Sequence, residues 1–167
     1  MTHALVLILP FALCVAAVWD VRTYTIPNRL SVLLVSAFIP VALVAGLPPS
    51  LIGLHLAVGL AVLIAGFALF SFGVLGGGDA KLLAAASIWF GSASILPFLL
   101  AVAMLGGLLA TALLTIRAAP MPATLARYGW VERLYDRKSG IPYGVAIAAG
   151  GLLVFPKVGW IATLSAL

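Results

Sequence analysis

The chain has 167 residues, of which 65% are hydrophobic and only 8% carry a charged side chain. The composition predicts an integral membrane protein, because this small number of polar side chains cannot cover a water-soluble globule of this size. The apolar runs do not alternate in polarity, which argues against transmembrane strands and predicts an all-α fold. The formal net charge of +5 matches the excess of Lys and Arg that cytoplasmic loops carry, and it does not indicate a nucleic-acid partner.

Six apolar segments follow one another along the chain and predict about six transmembrane helices in one polytopic domain, residues 1–167. Turn-forming residues around Gly91 and Pro97 predict a tight hairpin between the fourth and fifth segments, which makes the fourth helix short. The segments run over residues 4–19, 30–46, 51–75, 80–96, 97–116 and 141–164.

The basic residues predict how these helices are oriented. Almost all of them fall in alternate connections, after the first, third and fifth segments, and such connections are cytoplasmic. Both termini are then expected outside the cytoplasm, with only Lys157 near the far interface. The cytoplasmic set is Arg22, Arg29, Lys81, Arg117, Arg127, Arg133, Arg137 and Lys138.

Two of the four acidic residues, Asp20 and Asp79, lie at the edges of apolar runs, where a carboxylate is unfavourable. Asp20 closes the first run, which leads to the cytoplasm, and Asp79 opens the fourth, which leads away from it. Both are therefore expected at the cytoplasmic edge of the bilayer, where they would form one site. The other two acids, Glu132 and Asp136, lie in the one long polar connection.

Two adjacent carboxyls share a proton, so one can deprotonate a water molecule while the other donates to a carbonyl oxygen. This is the acid and base pair that amide hydrolysis requires. If Asp79 caps the fourth helix, the helix dipole stabilises its charge, and Asp20 is then expected to carry the shared proton. A small transporter or proton channel with an aspartate relay is the alternative, although the acids gather at one face instead of spanning the bilayer.

Residues near the two aspartates are expected to shape the site. A triplet of glycines precedes Asp79, and its backbone freedom would let an extended substrate lie along it. Pro27 and Pro142 are expected at the first positions of helices, Asn28 to orient the loop beside Asp20, and Lys81 to anchor the inner face. Cys14 is the only cysteine, which excludes an internal disulfide, and the sequence predicts neither a metal nor a cofactor.

The combination of these residues resembles the type IV prepilin peptidase family, membrane aspartic proteases with a glycine-x-glycine-aspartate motif. The resemblance covers essentially the whole chain, including the six-helix hydropathy pattern. It rests on Asp20 with Arg22 and Ile26-Pro27-Asn28, on Gly76-Gly77-Gly78-Asp79-Ala80-Lys81-Leu82, and on Ile141-Pro142-Tyr143-Gly144.

The resemblance implies a protease of the bacterial inner membrane that removes the short basic leader from pilin-like precursors at the cytoplasmic face. Asp20 and Asp79 match the two catalytic positions of the family. Larger members also methylate the new N-terminus and carry a region with paired cysteines, whereas this chain is similar to the small, peptidase-only type of Flp (tight-adherence) pili. Val145 departs from the pattern, since many relatives have proline there.

Overall fold

The computed structural model describes residues 5–125 and 127–161, and this part of the chain is helical without any strand. The prediction of an all-α fold is therefore confirmed. The predicted beginning of the first segment and the end of the last lie outside the described residues. The helices are α1 (Ile8–Thr23), α2 (Asn28–Val44), α3 (Pro49–Ser71), α4 (Gly77–Ala118), α5 (Gly129–Tyr135) and α6 (Tyr143–Val154), and a 3₁₀ turn, Phe155–Lys157, follows α6.

Local signals explain where the helices around the aspartates begin and end. Tyr24 adopts the left-handed conformation, with φ 55°, and its N–H donates to the carbonyl of Asp20, which closes α1. Pro27 and Pro142 hold the N-cap positions of α2 and α6. The prediction that these prolines occupy the first helical position is therefore wrong by one residue, because each ring sits on the extended residue that precedes the helix.

Helix α4 is broken at Gly91, whose φ of 58° and ψ of −170° are not helical. The rings of Phe90 and Phe98 stack with their centroids 4.2 Å apart, whereas eight residues of continuous helix would separate them by about 12 Å. The chain therefore turns back on itself here, as a hairpin. The turn begins at Gly91 and not next to Pro97, because only glycine adopts this backbone conformation readily.

Close contacts at small residues show how the helices run. Gly66 of α3 lies against Ala80 and Gly59 against Ala84, so α3 is antiparallel to residues 77–90 of α4. By the same kind of contact, Gly150 of α6 lies against Val102. Small residues let neighbouring backbones approach, which is how helices pack in lipid.

The same contacts define two ends of the bundle. We call the end that holds Asp20, Asp79 and Gly144 the dyad end, and the end that holds His55 and Gly91 the distal end.

Many large apolar side chains of the helices are exposed. Two helices, Pro49–Ser71 and Gly77–Ala118, are long and apolar enough to cross a membrane, and only 28% and 17% of their most apolar stretches are buried within the chain. Two shorter apolar helices, Asn28–Val44 and Tyr143–Lys157, accompany them. Helices buried in a soluble core would hide these faces, so the exposed apolar surface favours contact with lipid. Cys14 also lies on this outer surface.

An aromatic cluster fills the distal end. Trp89 is 1% exposed and its indole N–H donates to the carbonyl of Leu34, so it belongs to the core. His55 stacks on Phe38, and its Nδ1 lies 2.6 Å from the carbonyl oxygen of Ile88. The cluster closes the end of the bundle opposite the aspartates.

Alanine substitutions at two adjacent glycines of α4 should have opposite effects on stability. A Cβ on Gly106 would collide with the Tyr143 ring, whereas one on Gly107 would meet nothing within 4 Å. Because alanine favours the helix by about 0.5–1 kcal/mol over glycine, Gly107→Ala should hold or raise the midpoint of thermal unfolding in detergent. Gly106→Ala should lower it, since the overpacked ring costs about 1–3 kcal/mol. Equal midpoints for the two variants would contradict this packing.

Candidate active site

Asp20 lies in the last turn of α1 and is 4% exposed. Its Oδ2 accepts a hydrogen bond of 2.7 Å from the backbone N–H of Gly144, at the start of α6. The approach is this close because residue 144 has no side chain: a Cβ there would lie 2.9 Å from the same oxygen. Two helices far apart in sequence thus meet at this carboxyl group.

Asp79 lies in the first turn of α4, but it is not the capping residue that the sequence predicted. Gly76 is the N-cap, which makes Asp79 the third helical residue. From that position the carboxyl group turns back toward the cap, and a Cβ on Gly76 would lie 2.6 Å from its Oδ2. The Oδ1 is buried and has no hydrogen-bond partner within the described part of the chain. A buried carboxyl oxygen without a partner is available to a ligand.

The structure brings the two aspartates together at the dyad end. Asp79 interacts electrostatically with Asp20, and the backbone N–H groups of Gly76 and Gly144 both act on the Asp79 carboxyl group. The Gly144 amide donates to Asp20 and lies near Asp79 as well. Ile26 fills the space beside them, packing against both Gly78 and Gly144. This arrangement keeps two acidic groups within one small, largely enclosed region.

The glycine triplet lies at the start of α4, which begins three residues earlier than the predicted fourth segment. Gly77 and Gly78 are the first residues of α4, and none of the three has a positive φ. Their small size serves packing, because Gly77 lies against the ring of Phe70 and Gly78 against Ile26. That an extended substrate lies along the triplet stays a prediction, and two of the three glycines already belong to the helix.

The other predicted site residues make contacts of their own around the dyad. Lys81 donates a hydrogen bond of 3.1 Å to the Asn28 side chain, which links the starts of α4 and α2. The backbone carbonyl of Arg22 accepts from Arg133 at 3.4 Å. Tyr143 packs against Gly106 of α4. Pro27 and Pro142 contribute by starting the helices that carry Asn28 and Gly144.

Arg117 is a structural residue of this region that the sequence did not single out. It is 8% exposed, and its guanidinium donates to the carbonyl oxygens of Leu134 at 2.7 Å and Gly140 at 2.8 Å. It thereby ties α5 and the segment before α6 to the end of α4. In the sequence Arg117 is one of several basic residues after an apolar run, and nothing there distinguishes it.

Tyr24 adds a second link that sequence reasoning missed. Its hydroxyl donates to the carbonyl of Arg133 at 3.4 Å, and burial raises the pKa of this hydroxyl. The tyrosine therefore remains a neutral donor next to the aspartates. Its only sequence signal is its position in the short connection between α1 and α2.

Replacing Arg117 with lysine should loosen the connection between α4 and α6. A lysine keeps the charge but lacks the planar fork that reaches two carbonyl groups at once. We expect limited proteolysis in detergent to cleave residues 119–140 several-fold faster in Arg117→Lys than in the parent. Arg29→Lys, at an exposed position, is the matched control and should leave the rate unchanged. Equal rates for the two variants would show that Arg117 does not hold the segment.

Paired carboxyl groups at one end of an apolar helical bundle fit the kind of site that a membrane aspartic peptidase uses. Among the described residues, no three His, Cys, Asp or Glu side chains gather as metal ligands would. The two carboxyl groups can supply both an acid and a base.

The chain belongs to the type IV leader peptidase family, whose sequence model matches residues 7–111, a range that includes Asp20 and Asp79. This family consists of aspartic peptidases, and membership implies prepilin leader peptidase activity. Gly144, whose amide contacts the dyad, lies outside the matched range. No curated protein and no solved structure shows a significant match to the chain.

Proposed function

We propose that this protein is a membrane aspartic endopeptidase that removes the short basic leader of prepilin-like precursors, with Asp20 and Asp79 as the catalytic pair. The observation that supports it most is the convergence of α1, α4 and α6 on two carboxyl groups, with the Gly144 amide donating to Asp20. Family membership supplies the substrate class. A relay for ion transport would need further polar groups along the bundle, and its distal end is filled by aromatic rings.

In the proposed reaction the ionised aspartate takes a proton from a water molecule, which attacks the scissile carbonyl carbon. The protonated aspartate donates to the carbonyl oxygen, and the bond to the leaving nitrogen then breaks as that nitrogen gains a proton. We predict that Asp79 is the ionised partner and Asp20 the protonated one. Backbone amides act on both carboxyl groups, so these contacts do not distinguish the two. The unpaired Oδ1 of Asp79 is the position from which we expect contact with water or substrate.

The site is proposed to face the cytoplasm in the inner membrane of a bacterium, within a single domain of about six membrane-spanning helices. The basic residues support this orientation because they gather at the dyad end, where Lys81 contacts Asn28, Arg133 contacts the Arg22 carbonyl and Arg137 contacts the Arg117 carbonyl. Basic side chains favour the cytoplasmic side. Lys157 follows α6 toward the distal end, as expected of an outer-interface lysine.

The small, peptidase-only type associated with Flp pili remains part of this proposal. It is based on the sequence resemblance described above, and it leads us to expect leader cleavage without methylation of the new N-terminus. Methylation is tested by adding a labelled methyl donor to the same reaction and measuring the mass of the mature N-terminal peptide.

The central experiment is cleavage of a defined precursor in proteoliposomes. The purified protein is reconstituted with prepilins that each carry a basic leader, a glycine and an apolar helix, and the products are identified by intact mass. We expect one cut that releases the leader just after the glycine. Failure to cut any of a panel of such precursors, with the protein folded in the vesicles, would contradict the proposed function.

A further inference from the structure

A groove on the outer surface of the bundle is separate from the residues assigned to the dyad. Its cavity volume is about 690 Å³, and residues 28–39 of α2, 56–63 of α3 and 81–88 of α4 line it. Each helix contributes positions three or four residues apart, so the groove follows the helix axes. Almost all the lining side chains are apolar, and the exceptions lie on α2 and at Lys81.

The size of the groove matches a helix laid lengthwise against the bundle. The α2 residues that line it span about 16 Å along the axis. A volume of 690 Å³ over that length corresponds to a mean cross-section of about 40 Å², about half that of a helix 10 Å across. Ala84 and Ala85 form a floor of small buried side chains, which lets another backbone approach closely.

The polar end of the groove adjoins the candidate active site. Asn28 and Lys81, joined by their hydrogen bond, stand at this end, and Lys81 is two residues from Asp79. Ser31, one helical turn further along α2, is 9% exposed, and its Oγ has no hydrogen-bond partner among the described residues. A buried hydroxyl without a partner is a place where an occupant can bond. The groove is thus continuous with the dyad end and leads away from it along the bundle.

We infer that this groove binds the apolar helix of the precursor, the segment that follows the scissile bond. The inference rests on the proposed function and specifies how the substrate is held. A substrate whose cleavage point lies at the dyad must place its apolar segment within the membrane layer beside the enzyme, starting near Asp79. The groove is an apolar surface that begins there, runs in the required direction and has the width of a half-embedded helix. Seating that helix fixes which peptide bond reaches the carboxyl groups.

Disulfide trapping tests the inference directly. Cys14→Ser removes the only cysteine of the chain, and Asp79→Asn keeps the precursor uncut. In this background a single cysteine at Val35, which lines the groove, is compared with one at Leu33, which is similarly exposed on another face of α2. The precursor carries single cysteines along its apolar helix. We expect Val35→Cys to form disulfides at precursor positions spaced three or four residues apart and Leu33→Cys to form few.

Kinetics with the active enzyme give an independent measurement. Val35→Trp fills the groove and should raise KM for the precursor by about tenfold or more with little change in kcat, because it removes binding that is equal in the ground and transition states. Leu33→Trp should behave as the parent. Thermal unfolding of both variants shows whether the larger side chain disturbs the fold.

The outcomes separate this inference from the proposed function. Cleavage by the Cys14→Ser parent together with equal or absent trapping at Val35 and Leu33 would overturn the groove assignment alone. A photoactivatable phospholipid is also tested as a label of Val35→Cys. If this labelling persists at saturating precursor concentration, the groove binds lipid, and the groove assignment is overturned. No cleavage by the parent would contradict the proposed function itself.

Discussion

Asp20→Asn and Asp79→Asn should each lower kcat for leader removal by at least about 10³-fold, because each removes one member of an acid and base pair that acts as a unit. Asparagine keeps the size of the side chain but can neither accept the proton of water nor donate a carboxylic proton. The Oδ1 of Asp79 is buried and has no partner in the described part of the chain, so the substitution leaves the packing around it largely unchanged. We therefore expect KM to stay within about twofold of the parent value, since ground-state binding is retained.

Glu132→Gln is the matched control, because Glu132 is an acid on the exposed face of α5, and its kcat should equal that of the parent. The double variant, Asp20→Asn with Asp79→Asn, should be no slower than either single variant, as expected of residues that act together. Retention of more than about a tenth of the parent kcat by either single variant would remove the dyad mechanism.

Gly144→Ala should produce the second largest effect, a fall in kcat of about 10²-fold, because displacing a reacting group by about 1 Å can cost this much. The added Cβ would lie 2.9 Å from Oδ2 of Asp20 and 3.0 Å from Cδ1 of Ile26, so the carboxyl group must move. Gly144 lies in the first turn of α6 without a positive φ. The substitution therefore strains no backbone angle, and the fall in kcat should arise from the displaced Asp20 carboxyl group.

Gly129→Ala is the appropriate comparison, since Gly129 also begins a helix and a Cβ there meets nothing within 4 Å. It should leave kcat unchanged. The midpoint of thermal unfolding should differ little between Gly144→Ala and the parent, which separates a displaced carboxyl group from a misfolded chain. Parent-like kcat for Gly144→Ala would show that the Gly144 amide does not position Asp20.

The sequence predicted well what depends on local composition. The apolar runs predicted helices, and the turn residues near Gly91 predicted the hairpin. The predicted boundary between the fourth and fifth segments was several residues off, because the backbone conformation of Gly91 decides where the helix breaks. The positions of Asp20 and Asp79 at helix ends followed from hydropathy alone. The start of the fourth helix was predicted three residues too late, since glycines that begin a helix and glycines in a loop look alike in sequence.

What the sequence by itself determined is an apolar, helical chain with two carboxyl groups at the edges of its apolar runs, because the transfer of side chains into lipid is a property of each segment. Only the tertiary structure decided which groups meet those carboxyls. The Gly144 amide, Ile26 and the Arg117 link depend on how each helix is rotated about its axis, and hydropathy leaves that rotation open. The rotation is set by contacts that small residues make with a neighbouring helix, such as Gly66 against Ala80 and Gly150 against Val102. Each of these contacts joins two segments, so neither segment alone determines it.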